Sequence, residues 1–241
     1  YDEIYTEWAP NEKVACEVAI GASFAGQRAF CAMKHVGLNV AADPLYTASY
    51  IGVNGGLIVA VADDPGMFSS QNEQDTRRHA IAAKVPVVEP SDSEECRDFV
   101  KYAYELSEKF DTPVILRLTT RVAHSRSLVE LCDRVVPEQK PYKKNIQKNV
   151  MMPAMAKGRH VFVEKRMNEL AQYGESCPFN RVEMADTDIG VITSGISYQY
   201  VKEALGEKVS VLKLGLTNPL PDNLILDFAK KVKKLYVVEE L

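Results

Sequence analysis

A chain of 241 residues, 46% of them hydrophobic, is long enough for one large domain or two modest ones with real cores. Its net charge of −4, from 29 basic and 33 acidic residues, excludes the strongly basic face of a nucleic-acid binder, and no apolar run approaches the roughly 20 residues that span a bilayer. Five scattered cysteines (Cys16, Cys31, Cys96, Cys132 and Cys177) form no C-x-x-C pair, so zinc and iron–sulfur ligation lack support and a cytoplasmic setting is expected.

In chain order, Asn11-Glu12-Lys13-Val14-Ala15 after Pro10 predicts a helix start, with Asn11 accepting from the free N–H groups of the first turn. Ala15, Ala19, Ala22 and Gly26 recur every three or four residues, leaving one face almost bare. Such a helix is expected to be buried, which carries Glu12 at its mouth toward the interior. A strand is predicted at 29–34, ending at His35-Val36-Gly37-Leu38-Asn39, and a helix at 44–50. The run 57–62 is apolar without alternation, as a strand covered on both faces should be. Asp63-Asp64-Pro65-Gly66 then marks a turn into a polar loop over 67–75.

A helix at 76–83 and a strand at 85–88 follow, then a helix from Ser91, with Glu94 at capping-box spacing, through Phe99, Tyr102, Ala103 and Leu106 to Phe110. Residues 113–118 form another covered strand. Short strands alternating with helices predict β-α units and a mostly parallel sheet. After Arg126 the composition changes. Residues 137–148 are basic and proline-bearing, 158–173 carry only a sparse stripe of Val161, Met167 and Leu170, and the segment reads as a linker with one surface helix and a solvated basic face. Strands at 189–194, 209–214 and 235–238, with helices at 198–205 and 222–233, then restart the α/β pattern as a smaller, truncated unit. With Tyr1 at its start and an uncovered strand at its end, the chain reads as a fragment of a longer polypeptide.

Few residues stand out for chemistry. Glu12 is either an ordinary acid favoured by the helix dipole or, if it loses water, one suited to sharing a proton with a buried heterocycle. Gly21 and Gly26 have the stride of a phosphate loop, but Gln27-Arg28 replaces the needed Lys-Ser/Thr, so packing is the better role. His35 follows a strand where α/β sheets present ligand-binding groups, although a lone histidine also serves as a structural hydrogen bonder. The loop bearing Ser69, Ser70, Gln71 and Asn72 leaves another strand end and either lines the same crevice or is a surface turn. His124, with Arg121 and Ser125, is weaker, and no metal-ligand cluster is apparent.

Taken together, Asn11-Glu12-Lys13-Val14-Ala15, Ala19-Ile20-Gly21-Ala22-Ser23, Met33-Lys34-His35-Val36-Gly37-Leu38-Asn39, Ala62-Asp63-Asp64-Pro65-Gly66-Met67 and Ser69-Ser70-Gln71-Asn72-Glu73-Gln74-Asp75 resemble the thiamine-diphosphate-dependent 2-oxoacid:ferredoxin oxidoreductases, in particular the alpha subunits of their indolepyruvate branch. The resemblance covers essentially the whole chain, through Asn218-Pro219-Leu220-Pro221 and Val237-Val238-Glu239-Glu240. It implies a three-layer, parallel-sheet pyrimidine-binding domain over 1–125, a linker over 126–186 and an incomplete transketolase C-terminal-like domain over 187–241. It also places Glu12 on the family's glutamate that hydrogen-bonds N1′ of the cofactor's aminopyrimidine and favours the imino tautomer. Cofactor contacts then fall on Glu12, His35 and Gly37, and the substrate side on His35, Ser69, Ser70, Gln71 and Asn72. The implied reaction is oxidative decarboxylation of arylpyruvates such as indolepyruvate to aryl-acetyl-CoA, with ferredoxin as acceptor, coenzyme A as acyl acceptor and a beta subunit as partner.

The magnesium-ligating diphosphate motif and the iron–sulfur cysteine clusters of such subunits have no match here, so this piece is expected neither to hold thiamine diphosphate tightly nor to turn over alone. A sister enzyme acting on pyruvate, 2-oxoglutarate or a branched 2-oxoacid is the nearest alternative, and a non-catalytic α/β scaffold the more distant one. A nucleotide-binding Rossmann domain fits poorly, because no G-x-G-x-x-G follows the first strand.

Overall fold

The computed structural model describes residues 4–185 and 187–241. In order, the elements are α1 (Glu12–Phe24), β1 (Ala29–Lys34), α2 (His35–Ile51), β2 (Leu57–Asp63), α3 (Thr76–Ala83), β3 (Val87–Val88), α4 (Ser93–Phe110), β4 (Val114–Thr119) and α5 (Thr120–His124). There follow α6 (Ile146–Asn149), α7 (Pro153–Gly174), β5 (Arg181–Glu183), β6 (Ile189–Ser194), α8 (Ser197–Leu205), β7 (Ser210–Leu214), β8 (Leu216–Asn218), α9 (Asp222–Ala229) and β9 (Lys234–Val238).

The first sheet has the order β1-β2-β4-β3-β8, parallel except for β8. Its interior strand β2 buries alternate residues on opposite faces, which is what a run without polar alternation requires. Val59 and Val61 pack with Cys16 and Ala19 of α1 and Leu38, Ala41 and Leu45 of α2. Ile58 and Ala60 pack with Phe99, Ala103 and Leu106 of α4. Three layers result. The second sheet, β5-β7-β6-β9, is parallel except for β5 and has two smaller cores, around Val191 and Val211 and around Leu212 and Phe228.

Several local expectations need correction. The opening helix is not buried all round: Cys16, Ala19 and Ser23 are inside, but Glu17, Val18 and Gly21 face solvent. α2 begins at His35, directly after β1, instead of at residue 44. Its buried positions His35, Leu38, Ala41, Leu45 and Ala48 hold a helical period across Pro44, whose missing N–H the helix tolerates in its interior. The cap of α4 is shifted by one residue, with Asp92 accepting from Glu95 N–H at 2.9 Å and the Glu95 carboxylate accepting from Ser91 N–H and Oγ, both at 2.8 Å.

The largest difference lies in the supposed linker. α7 is not a surface helix, because Val163, Arg166, Leu170 and Gly174 are buried and Leu170 joins the core of the first sheet together with Cys177 and Phe179. Arg166 donates to Ser49 O (3.0 Å), Asp111 O (2.8 Å), Ser49 Oγ (3.0 Å) and Lys84 O (3.2 Å). Those acceptors precede β2, β4 and β3, so α7 closes the amino end of the sheet. Within the basic run, Lys148 Nζ pairs with Asp111 at 2.7 Å and Lys140 Nζ with Glu108 at 2.9 Å, which docks the segment instead of leaving it wholly solvated. β8, from the expected second unit, pairs with β3 and belongs to the first sheet. No helix among the described residues is long and apolar enough to cross a membrane.

Candidate active site

α1 and α2 bring Glu12 and Gly37 together. Asn11 Oδ1 accepts from Val14 N–H at 3.0 Å, which fixes the start of α1 and sets Glu12 as its first residue, at the positive end of the helix dipole. The Glu12 side chain lies against Gly37 in the first turn of α2. A β-carbon at Gly37 would come within 2.5 Å of Glu12 Cγ and 2.8 Å of Oε1, so glycine there is a condition of this approach. Glu12 is half-buried, and its carboxylate has no hydrogen-bond partner among the described residues.

His35 is two residues before Gly37 and only 1% exposed. Its Nε2 faces Asn72 O at 3.1 Å and its Nδ1 faces Ala62 O at 3.4 Å. A neutral imidazole donates from one nitrogen only, so the shorter contact to Asn72 is the stronger tie. The ring therefore braces the end of β2 against the polar loop. Lys34 Nζ adds a bond to Ser69 O at 2.9 Å.

The loop itself is built on Asp64. Its carboxylate accepts from Thr120 Oγ1 (2.7 Å), Ser69 N–H (2.8 Å) and Phe68 N–H (3.1 Å), and these bonds hold its pKa well below the usual carboxylate range. Glu73 accepts from Gly66 N–H at 2.7 Å and closes the turn. Met67 sits at φ 56°, in the left-handed region, and the tip exposes Met67 and Phe68 with the Arg121 guanidinium 5.1 Å from the Phe68 ring centre. Ser69, Gln71 and Asn72 are exposed and Ser70 is half-buried.

Of the residues read from sequence, Glu12, Gly37, His35 and the Ser69–Asn72 stretch thus form one contiguous region at the carboxyl ends of β1 and β2. Arg121 joins it, while His124 is exposed and Ser125 only caps its own helix through Val122 O. Gly26, at φ 88°, packs directly under Lys140 O, but Gly21 has open space around it and serves no packing contact. Sequence reasoning passed over a buried ion-pair chain behind the loop, in which Arg117 bonds Asp63 and Glu89. A charged residue in the otherwise apolar strand Val114-Ile115-Leu116-Arg117-Leu118 was the available signal. No group of three His, Cys, Asp or Glu side chains that could hold a metal ion occurs among the described residues.

A half-buried carboxyl without a partner among the described residues, set over a glycine floor, suits a planar heterocycle that accepts a hydrogen bond at a ring nitrogen. Residues 3–176 match the family model described as pyruvate flavodoxin/ferredoxin oxidoreductase, thiamine diP-binding. The chain belongs to this family. Curated relatives include the indolepyruvate oxidoreductase subunit IorA of Archaeoglobus fulgidus, 45% identical over 99% of this chain and 39% of that protein. That of Pyrococcus horikoshii is 47% identical over 99% of this chain and 38% of that protein. The chain therefore spans about two fifths of the length of these relatives. Among solved structures, a 2-oxoglutarate:ferredoxin oxidoreductase from Magnetococcus marinus is similar over 95% of this chain and 49% of its own, with a TM-score of 0.73 at 20% identity. A split-gene transketolase, described as an inactive beta4 tetramer, is similar over 99% and 66%, with a TM-score of 0.62 at 15% identity. At these identities the likeness concerns the fold, which is that of a pyrimidine-type domain followed by a transketolase C-terminal-like α/β unit.

Proposed function

We propose that this chain supplies the pyrimidine-facing half of a thiamine-diphosphate site in a 2-oxoacid:ferredoxin oxidoreductase acting on arylpyruvates such as indolepyruvate. The observation that carries the reading is the Glu12 carboxyl, without a partner among the described residues, over Gly37. When bound, thiamine diphosphate supplies the carbon nucleophile and the electron sink for decarboxylating a 2-oxoacid. Glu12 would hydrogen-bond the pyrimidine ring nitrogen and hold the proton that sets its tautomer. Gly37 keeps the floor open to the ring, and His35 holds the loop of residues 64–75 in place at its edge. That loop, with Ser69, Ser70, Gln71 and Asn72, would line the substrate side, and the apolar tip at Met67 and Phe68 beside Arg121 fits an aryl group joined to a carboxylate.

The names of the curated relatives support the indolepyruvate branch. In this reading coenzyme A accepts the acyl group, ferredoxin accepts the electrons, and a beta subunit completes the assembly. Magnesium with the diphosphate, and the iron–sulfur clusters, would be held outside the residues described. In this reading the first unit extends beyond residues 1–125 to take in α7 and β8, so 126–186 is a linker only in part and 187–241 forms the second unit without β8.

The test is 2-oxoacid-dependent ferredoxin reduction by the complete two-subunit enzyme, with indolepyruvate, pyruvate and 2-oxoglutarate compared. Indolepyruvate should give the highest kcat/KM, and Glu12→Gln should lower it about 100-fold or more. A preference for pyruvate or 2-oxoglutarate would contradict the substrate assignment, and full activity of Glu12→Gln would favour a scaffold role.

A further inference from the structure

The loop of residues 64–75 stands on two feet, and both meet a buried ion-pair chain that ends at Gly215 and Thr217, between the two sheets. Asp63, the first foot, accepts from Thr76 N–H (3.0 Å) and Thr76 Oγ1, and from Arg117 Nε at 2.6 Å. Asp75, the second, lies 3.8 Å from the same Arg117 nitrogen and 2.9 Å from Arg77 Nε. Arg117 and Asp63 are essentially sealed from water, with side chains 2% and 0% exposed. Arg117 Nη1 then donates to Glu89 Oε2 at 2.9 Å. Glu89 closes the path: its Oε1 accepts from Thr217 Oγ1 at 2.7 Å, and its N–H donates to Gly215 O, also at 2.7 Å, on the link between β7 and β8. A parallel path runs from Asp75 through Arg77 to Glu239, 3.5 Å away, just beyond β9.

Charges in a dry interior are costly unless each meets an opposite charge in good geometry, and they then hold one arrangement firmly. Burial opposes the charge of Arg117, but Glu89 and Asp63 outweigh it and keep the guanidinium protonated. This chain of contacts touches neither Glu12 nor Gly37. What it fixes is the spacing of the loop's feet and the seat of the β7–β8 link relative to them.

We propose that Arg117 and Glu89 are positioning residues that set the loop of residues 64–75 for its 2-oxoacid by coupling it to Gly215 and Thr217, where the chain passes from β7 of the second sheet into β8 of the first. The inference rests on the reading above that this loop lines the substrate side. It assigns the specificity of the loop partly to residues outside it, because a shift of Thr217 or Gly215 moves Glu89, Arg117 and then Asp63.

The test uses the complete holoenzyme with Arg117→Lys, which keeps the charge but loses the fork, and Thr217→Val, which removes one hydroxyl and leaves no unpaired charge. Amide hydrogen exchange across 64–75 should quicken in both, while exchange within β2 and β4 stays at the wild-type rate. KM for the 2-oxoacid should rise about fivefold or more, with kcat and thiamine diphosphate affinity changed less than about twofold. A role limited to stability would lower kcat with the active fraction and leave KM alone, and that result would overturn the proposal. Unchanged loop exchange in Thr217→Val would overturn it too, even if Arg117→Lys fails to fold. A faster loop with unchanged KM would also overturn it, as the coupling would then not reach substrate. Failure of the underlying reading is separate, since substitutions in the loop itself, Gln71→Ala and Asn72→Ala, would then leave KM for the 2-oxoacid unchanged.

Discussion

The carboxylate of Glu12 lies so close over Gly37 that a β-carbon on the glycine would stand 2.8 Å from Glu12 Oε1. The acid that starts α1 and the glycine in the first turn of α2 therefore constrain one another. Gly37→Ala should push the flexible Glu12 side chain aside without breaking the fold, since alanine gains about 0.5–1 kcal/mol over glycine within a helix. Turnover of the complete enzyme is expected to fall about 100-fold, as displacement of a reacting group by about 1 Å does elsewhere. Calorimetric melting should meanwhile stay near the wild-type temperature. Wild-type turnover in this variant would mean that Glu12 need not sit where it does.

The loop tip presents Phe68 and Met67 to solvent beside Arg121. If Phe68 covers the aryl part of the substrate, Phe68→Ala should raise KM for indolepyruvate about tenfold, which corresponds to about 1.4 kcal/mol of lost apolar contact. KM for pyruvate should be unaffected. Equal effects on both substrates would assign Phe68 to loop structure.

Arg166 joins α7 to the amino end of the first sheet by satisfying Ser49 O, Lys84 O and Asp111 O. Burial brings its pKa down to about 10, yet it remains charged at neutral pH. Arg166→Met should cost about 3 kcal/mol, because buried acceptors left without donors cost about 1–3 kcal/mol each and do not add fully. The midpoint of urea unfolding measures this. A change below about 0.5 kcal/mol, typical of surface positions, would return α7 to the role of a surface linker helix.

Glu108 links α4 to Arg28 (2.9 Å), Lys140 (2.9 Å) and Gly56 N–H (3.1 Å). Burial alone would raise its pKa, but these donors bring it down to about 2 from 4.5. A carboxylate depressed in the folded state contributes stability that is full above the unfolded value and lost as pH falls through the folded one. The contribution should therefore fade between 4.5 and about 2. Urea midpoints measured across that window should fall less steeply in Glu108→Gln than in the wild type, and parallel slopes would contradict the assignment.

Much of this was legible in the sequence because it is local. The apolar run of β2, the Asn11 cap of α1, the α3 boundaries and the turn after Asp63 follow from residues within a few positions of one another. What was missed depends on distant partners. Pro44 reads as a helix start, and only packing of Leu38 and Ala41 against β2 carries α2 back to His35. The sparse stripe of α7 reads as a surface helix because one of its buried contacts is made by an arginine whose acceptors come from residues 49, 84 and 111. Arg117 is visible as a charge in a covered strand, but its partners Asp63 and Glu89 are 54 and 28 residues away. Glu12 was found through its motif, whereas its relation to Gly37 as a close packing pair needed the fold.

The central claim is that Glu12 faces the cofactor's pyrimidine and sets its protonation. The most direct measurement is the rate of deuterium exchange at C2 of thiamine diphosphate bound to the complete enzyme, followed by proton NMR after acid quench, in wild type and in Glu12→Gln. The account predicts that Glu12→Gln retains bound cofactor but exchanges about 100-fold or more slowly. Exchange at the wild-type rate with the cofactor fully bound would contradict it.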